Sequence, residues 1–308
     1  MAETSFLVDA NFGSVAGIFG AQFVDVVSEA PAAPASGAVR RSRMTRAQRA
    51  MPAFQGDKGL AHAVQNSLYF NRVGLWLPAG QGQVAIPGVI GMPALTLAGG
   101  AATARNPATT NRFTRANRLA IVSAATAAAV MSVRHTQASV SLGSGTVDGS
   151  GFFWAWRFGI SDAAAVAGAR MFVGMTATAS ALTNVEPSTL TSCIGIGHGA
   201  ADTNLKLFYG GSTAQAPIDL GANFPANTLS TDFYDLILFA PPEVANTCYY
   251  QVSRVNTGQI ATGTLTGTAV QIPQSSTLLV PLNAFRTNNA TALAVGIDLF
   301  RGLIETTD

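Results

Sequence analysis

Charge is what this 308-residue sequence has least of. Asp, Glu, Lys and Arg make up 11% of it, against about 25% in ordinary soluble domains. Lysine is nearly missing, since the 18 basic residues include only Lys58 and Lys206 and the rest are arginine. A free monomer usually keeps itself soluble with more surface charge than this, so the composition points to a subunit with large protein contacts. Cysteine is scarce as well. Cys193 and Cys248 cannot build a disulfide scaffold, and a chain of this length does not need one. Both fall in strand-like runs and read as reduced, buried thiols, with a single bridge as the alternative. The opening MAETSFLVDA has no basic n-region, so no secretory leader is expected. The uncharged stretch at 10–24 contains Asn11, Ser14 and Gln22 and falls short of the about 20 apolar residues of a spanning helix. No membrane span is expected.

Catalytic and metal-binding signatures are missing too. Asp232 and Asp235 invite a glycosidase reading, because such enzymes flank the scissile bond with two carboxylates. They open the run FYDLILFA, where positions i and i+3 face opposite sides of a sheet, so they read as solvated strand-end residues. Asp202 and Asn204, with Asp219 fifteen residues on, supply only part of a calcium loop, which needs six to eight oxygens. His62, His135 and His198 lack the i, i+4 spacing of a zinc helix, and no G-x-S-x-G elbow accompanies them. They read as structural, with His198 in a Gly-rich loop. Gly195, Gly197 and Gly199 precede no helix with a suitably spaced acidic residue, so they form no dinucleotide loop and instead allow tight strand packing. No catalytic residue, metal or cofactor is expected. The VAGIFGA stretch has no basic amphipathic face and reads as a segment packed against other chains.

What is present is β-structure. Residues 151–162, GFFWAWRFGISD, alternate with period 2, placing Phe152, Trp154, Trp156 and Phe158 on one face and Phe153, Ala155 and Arg157 on the other. This strand is expected to anchor the core. Further strands are expected near 170–176, 192–197, 204–209, 217–220, 233–240, 248–255, 259–265, 277–282 and 292–305, with a short helical turn at 162–168. Many short strands with turn residues between them and almost no helix indicate an all-β antiparallel sandwich or jelly roll. That body is expected over residues 60–308.

Residues 1–59 read as an extended N-terminal arm for anchoring and assembly. Its Ala/Pro-rich tract cannot bury enough apolar surface to order itself, so neighbouring subunits must hold it. Arg40, Arg41, Arg43, Arg46 and Arg49 fall within ten residues. Phosphate contact is one use for such a run, but no aromatics are interleaved for base stacking. Docking on acidic neighbours, including the acidic C-terminal half of another copy, is the preferred reading. Residues 1–156 carry +6 and residues 157–308 carry −4, which suits that docking. Nucleic acid is not an expected partner.

An ordered series of motifs carries a family resemblance: SAAT (123–126), GFFWAWRFGISD (151–162), ARMFVGM (169–175), NVEPSTLTSCIGIG (184–197), IDLGANFP (218–225), LILFAPP (236–242), YYQVSRVNTG (249–258) and NNATALAVGID (288–298). Over about residues 103–308 the chain resembles a domain of structural proteins of tailed bacteriophages, found in tail-fibre, tail-tip and head-appendage contexts. The resemblance implies a lectin-like jelly-roll sandwich. It also implies a non-enzymatic virion subunit, commonly a homotrimer, assembled in the host cytoplasm beside other virion proteins. Attachment to a host-surface glycan would then fall to loops at 177–189, 197–204 and 223–231. A carbohydrate-binding module or a glycan-degrading enzyme is the alternative.

Overall fold

The computed structural model describes residues 39–56, 62–63, 72–78, 92, 94–146 and 150–306. In chain order the strands are β1 (Val39–Arg46), β2 (Arg49–Gly56), β3 (His62–Ala63), β4 (Arg72–Trp76), β5 (Thr96–Ala98) and β6 (Gly100–Arg105). A one-turn helix α1 (Arg112–Arg115) precedes β7 (Arg118–Ser123), β8 (Val130–Arg134), β9 (Phe152–Ile160) and β10 (Arg170–Thr176). Then come β11 (Cys193–His198), β12 (Lys206–Gly210), β13 (Ile218–Asp219) and β14 (Tyr234–Ala240). The last four are β15 (Thr247–Arg254), β16 (Gln259–Thr266), β17 (Val280–Thr287) and β18 (Gly296–Thr306).

The chain divides into two compact units, one from residues 1–45 and 50–65, the other from residues 46–49 and 66–308. In the first unit, β1, β2 and β3 form a three-stranded sheet. Where the sequence suggests an extended arm, residues 39–56 therefore make a β-hairpin. Its two-residue turn, Ala47 and Gln48, has positive φ at both positions (46° and 62°), the backbone twist that suits a tight hairpin. The remainder of the expected arm, including VAGIFGA and the Ala/Pro tract, lies outside the described residues.

The second unit is an antiparallel sandwich. One sheet runs β13-β12-β11-β10-β17-β8-β5, and the other runs β16-β15-β14-β9-β18-β7-β6. The long β18 pairs with β9 along one side and with β7 and then β4 along the other. Where β5 of one sheet gives way to β6 of the other, the chain turns at Gly99, whose φ is +69°. A Cβ there would sit 2.2 Å from the Val130 carbonyl oxygen, so only glycine passes this corner.

Apolar side chains from both sheets fill the space between them. Phe152, Trp154, Trp156 and Phe158 all point into this core and are buried, because β9 lies mid-sheet between β14 and β18. The Trp156 indole stacks on Trp76 from β4 at 5.4 Å between ring centroids. Gly302 on β18 makes room for it, since a Cβ there would come within 2.3 Å of the Trp156 ring. The Trp154 indole N–H donates to the Pro281 carbonyl, so this large side chain is satisfied where water cannot reach it.

From β9 onward the strands lie close to where alternation places them, with two shifts. The strand near 277–282 runs Val280–Thr287, and the one near 292–305 starts at Gly296, because residues 288–295 are occupied by a turn held by Asn288. Its side-chain amide donates to the carbonyls of Thr126 and Leu293 at 2.8 Å each. No helical turn forms at 162–168. The Asp162 carboxylate is drawn inward by Arg286 and the Gly296 amide and caps nothing, and residues 161–169 make bends and a turn ending at Gly168 (φ +70°).

Removing the Trp156 indole leaves a cavity beneath Trp76. Trp156→Ala should lower the free energy of unfolding by about 3–5 kcal/mol, read as a shift of the urea midpoint followed by far-UV circular dichroism.

Candidate functional site

The outer face of the β9 sheet gathers most of the arginines of the second unit. Side chains alternate along β9, so the residues between its core aromatics, Phe153, Ala155 and Arg157, point outward. At one end of this face sits α1. Asn111 caps it through a reciprocal pair of hydrogen bonds with Thr114, and this fixes Phe113 over Gly159, where any Cβ would strike the ring at 2.3 Å. Phe113, Phe233 and Phe300 form a small buried cluster. Arg112 and Arg157 lie over the Phe233 ring at 5.5 and 4.8 Å, and Arg118 lies over Phe113 at 5.4 Å.

Strand register lines these arginines up. Arg105 on β6 is directly opposite Arg118 on β7, and Arg301 on β18 is opposite Arg157 on β9. Directly opposed residues share a face. Arg157 grips Asp235 with two hydrogen bonds of 2.6 Å, and Arg118 donates to Asp298 at 2.8 Å. Burial pushes the Asp298 carboxyl up, while the Arg118 charge opposes this. Arg254 holds Asp232 at 2.5 Å. Asp232 and Asp235, the pair that suggested a glycosidase, are thus each held by a different arginine.

At the other end of the same face lies the hairpin turn. Arg49 donates both guanidinium nitrogens to Glu305, at 2.7 and 2.8 Å, and lies 4.8 Å over the Phe153 ring and 5.7 Å over Phe239. The Ala47 amide donates to Gln251 at 3.2 Å. Arg49 therefore finds its acidic partner in the C-terminal half of its own chain. A recess of about 190 Å³ opens beside it, lined by Phe153, Phe239, Pro242 and Glu305. Arg40, Arg41 and Arg43 lie on β1 and Arg46 at its end; the side chains of the first three are outside the described residues.

Between the sheets, at the α1 end, lies a fully buried ion pair, with Arg286 and Asp162 both 0% exposed. Asp162 also accepts from the Gly296 amide at 2.9 Å and from Asn227 at 3.0 Å. The third N–H direction of Arg286 points at His198 Nε2, 2.8 Å away. A guanidinium only donates, so Nε2 must be the acceptor, and Nδ1–H donates to the Gly199 carbonyl at 3.2 Å. His198 is not in a loop: it closes β11 and faces the core. Burial first, and then the Arg286 charge, push its pKa down to about 3. His135, beside Trp156 at 6.4 Å between rings, is pushed down to about 4 by burial alone.

The other candidate positions are tied into the frame. Asp202 bonds the Gly199 amide at 2.7 Å and Lys206 at 2.6 Å, and Asn204 donates to Asp219 at 3.2 Å. Among the described residues no cluster of His, Cys, Asp and Glu could hold a metal ion, and no helix is long and apolar enough to cross a membrane. Gly195 faces the Phe172 ring, where a Cβ would lie 2.5 Å away. Cys193 and Cys248 are unpaired and buried, each thiol pushed up to about 12 by burial. Loop 177–189 folds Leu182 and Val185 onto the Phe172–Phe285 cluster outside the other sheet, and loop 223–231 buries Phe224 and Ala226. His62 lies on β3, and its side chain is outside the described residues.

No protein-family model matches the chain, and no curated protein does. Solved structures are similar to it at low identity. Arcelin-5, a lectin-like defense protein from Phaseolus vulgaris, is 7% identical with a TM-score of 0.43, covering 77% of this chain and 99% of its own. A carbohydrate esterase from the Shiga toxin-encoding bacteriophage phi24B is 15% identical with a TM-score of 0.43, covering 75% and 96%. The CBM2 module of the evolved Dit of Lactobacillus casei BL23 phage J-1 is 12% identical with a TM-score of 0.41, covering 76% and 96%.

The two buried histidines make stability depend on pH. Their folded pKa values lie below the ordinary 6.5, so between these values the unfolded chain binds protons that the folded chain refuses. Stability is complete above pH 6.5 and is lost as the pH falls, by about 1.4 kcal/mol per unit for each histidine. His198→Gln keeps an acceptor for Arg286 and should roughly halve this slope between pH 6.5 and 5, measured by urea denaturation at a series of pH values.

Proposed function

We propose that this chain is a non-enzymatic structural subunit of a tailed-phage virion, a homotrimeric part of a tail fibre, tail tip or head appendage that meets host-surface glycans. The observation that carries the reading is the edge strand β16. It ends the β9 sheet, pairs with β15 over all eight of its residues without a bulge and is exposed along most of its length. No charged residue occurs between Arg254 and Arg286, and Ile260, Val270 and Leu278 within that interval are exposed. A long, uncharged, unbulged edge is a template for pairing with another chain, and monomeric proteins usually blunt such edges with charge, proline or bulges. Burial against sister subunits or other virion proteins removes the hazard.

The resemblance of its sequence motifs to those of phage appendage proteins supports the same reading, and so does the low charge of the whole chain. The carboxylates that a glycan-cleaving site would use are engaged by arginines, Asp232 by Arg254 and Asp235 by Arg157. That arrangement favours a structural role over the enzymatic alternative.

Light scattering on the purified full chain should give the mass of a stable oligomer. Ile260→Lys places a charge on the open edge and should dissociate it, leaving the far-UV spectrum unchanged. A wild-type monomer at micromolar concentration, or cleavage of a glycan that Asp235→Ala abolishes, would turn the reading to a binding module or to an enzyme respectively.

A further inference from the structure

Among the described residues, four arginines of the β9 outer face have no carboxylate closer than 4.0 Å. Arg105, Arg112, Arg115 and Arg301 are exposed, Arg301 by 56%. The carboxylates of this face are already taken. Asp235 accepts both bonds from Arg157 and stands 4.0 Å from Arg301, Asp298 is held by Arg118, and Glu305 by Arg49. All three are largely buried, so the negative charge lies beneath the surface and the surplus positive charge lies on it.

Strand register fixes where these side chains leave the sheet. Arg105, Arg118, Arg301 and Arg157 occupy four neighbouring strands, and strands lie about 4.8 Å apart, so the row spans about 14 Å. Arg112 is tethered to the Val255 carbonyl at 2.9 Å while stacked on Phe233. A guanidinium fork matches planar or tetrahedral anions two bonds at a time.

We infer that this row binds an acidic polysaccharide, one whose repeating sugars carry carboxylate or sulfate groups. An extended polymer fits a flat sheet face crossed by a line of like charges. Nucleic acid fits less well. Single strands are held by exposed rings on which bases stack, and the rings here, Phe113, Phe233 and Phe300, are buried beneath the arginines. The inference relies on the proposed virion role only for where such a polymer would be met, on a host surface; the binding itself does not depend on it.

The test uses the full chain against polygalacturonate, dextran sulfate, neutral dextran and a 20-base-pair DNA duplex, by biolayer interferometry at low salt. Both acidic polysaccharides should bind and dextran should not, and binding should weaken at least tenfold between about 50 and 500 mM NaCl, where screening shortens to a few ångströms. Arg112→Ala with Arg301→Ala should weaken binding at least tenfold. Lys206→Ala, which removes a positive charge from the other sheet, should leave it unchanged. Far-UV spectra of the variants should match the wild type, and their unfolding midpoints should fall only slightly, by the loss of the exposed Arg112 contacts to Val255 and Phe233. Failure of the acidic polysaccharides to bind, equal binding of dextran, tighter binding of the duplex, or indifference to the double substitution overturns the inference. So does a changed oligomer mass in that variant, which would give the row to a subunit contact. A wild-type monomer that still binds polygalacturonate through Arg301 sinks the assembly proposal and leaves this one standing.

Discussion

The alternation of β9 organises both faces of its sheet. Its inward residues, Phe152, Trp154, Trp156 and Phe158, belong to the core between the sheets. Its outward residues begin each of the two arginine sites: Phe153 lies beneath Arg49, and Arg157 sits within the arginine row. A one-residue slip in register would exchange the two sets, putting an arginine in the core and tryptophans in solvent. The penalty for that slip is far larger than any single contact, so burial of the indoles also fixes where the outer charges stand. Position in the sheet strengthens the effect, because β9 is paired along both sides, with β14 and with β18.

The Arg286–Asp162 pair acts on the same problem from the end of the sandwich. Its partners come from different layers: Arg286 and His198 from β17 and β11 of one sheet, and Asp162 and Gly296 from the chain around β9 and β18 of the other. Desolvating two charges costs several kcal/mol, and their attraction repays this only where geometry and further hydrogen bonds are good. Here every strong direction of the carboxylate is used, by Arg286, Gly296 and Asn227. The pair therefore adds little net stability over an apolar replacement. What it adds is a requirement that the two sheets meet at one relative position, since any other leaves a buried charge alone. Neutral His198 belongs to that requirement, because a second cation beside Arg286 would undo it.

Much of the sandwich is legible in sequence because strand alternation is a local property. From β9 to β16 each run of alternating apolar residues is bounded by Gly, Pro or Asn, and the ends move by only a few residues. What escapes are features made by distant partners or by very short elements. The helix α1 has four residues, and its reality rests on a capping box and on Phe113 filling the gap over Gly159. The hairpin at 39–56 is hidden in a composition that reads as disorder, and Arg49 meets Glu305 across 256 positions of sequence. His198 reads as a loop residue because glycines flank it, yet Gly197 serves close strand packing against Met171. The arginine row is invisible in one dimension. Arg105, Arg118, Arg157 and Arg301 come together only through the register of four strands, and nothing in the spacing of those residues announces it.

The scarcity of charge and the choice of arginine are connected. Where few charges exist, each must hold a geometry without water's help, and a guanidinium can do this while stacked on a ring, as Arg49, Arg112, Arg118 and Arg157 are. A lysine ammonium is more strongly hydrated and presents no planar fork, so in these positions it would lose the stacking and the paired hydrogen bonds together. The same economy explains why the edge at β16 stays bare. β16 itself carries no charged residue, so the usual device for guarding an edge, a lysine on the last strand, is absent. In the proposed assembly another polypeptide covers that edge, and the arginine face, lying on the flat of the sheet and not on its rim, stays open to solvent.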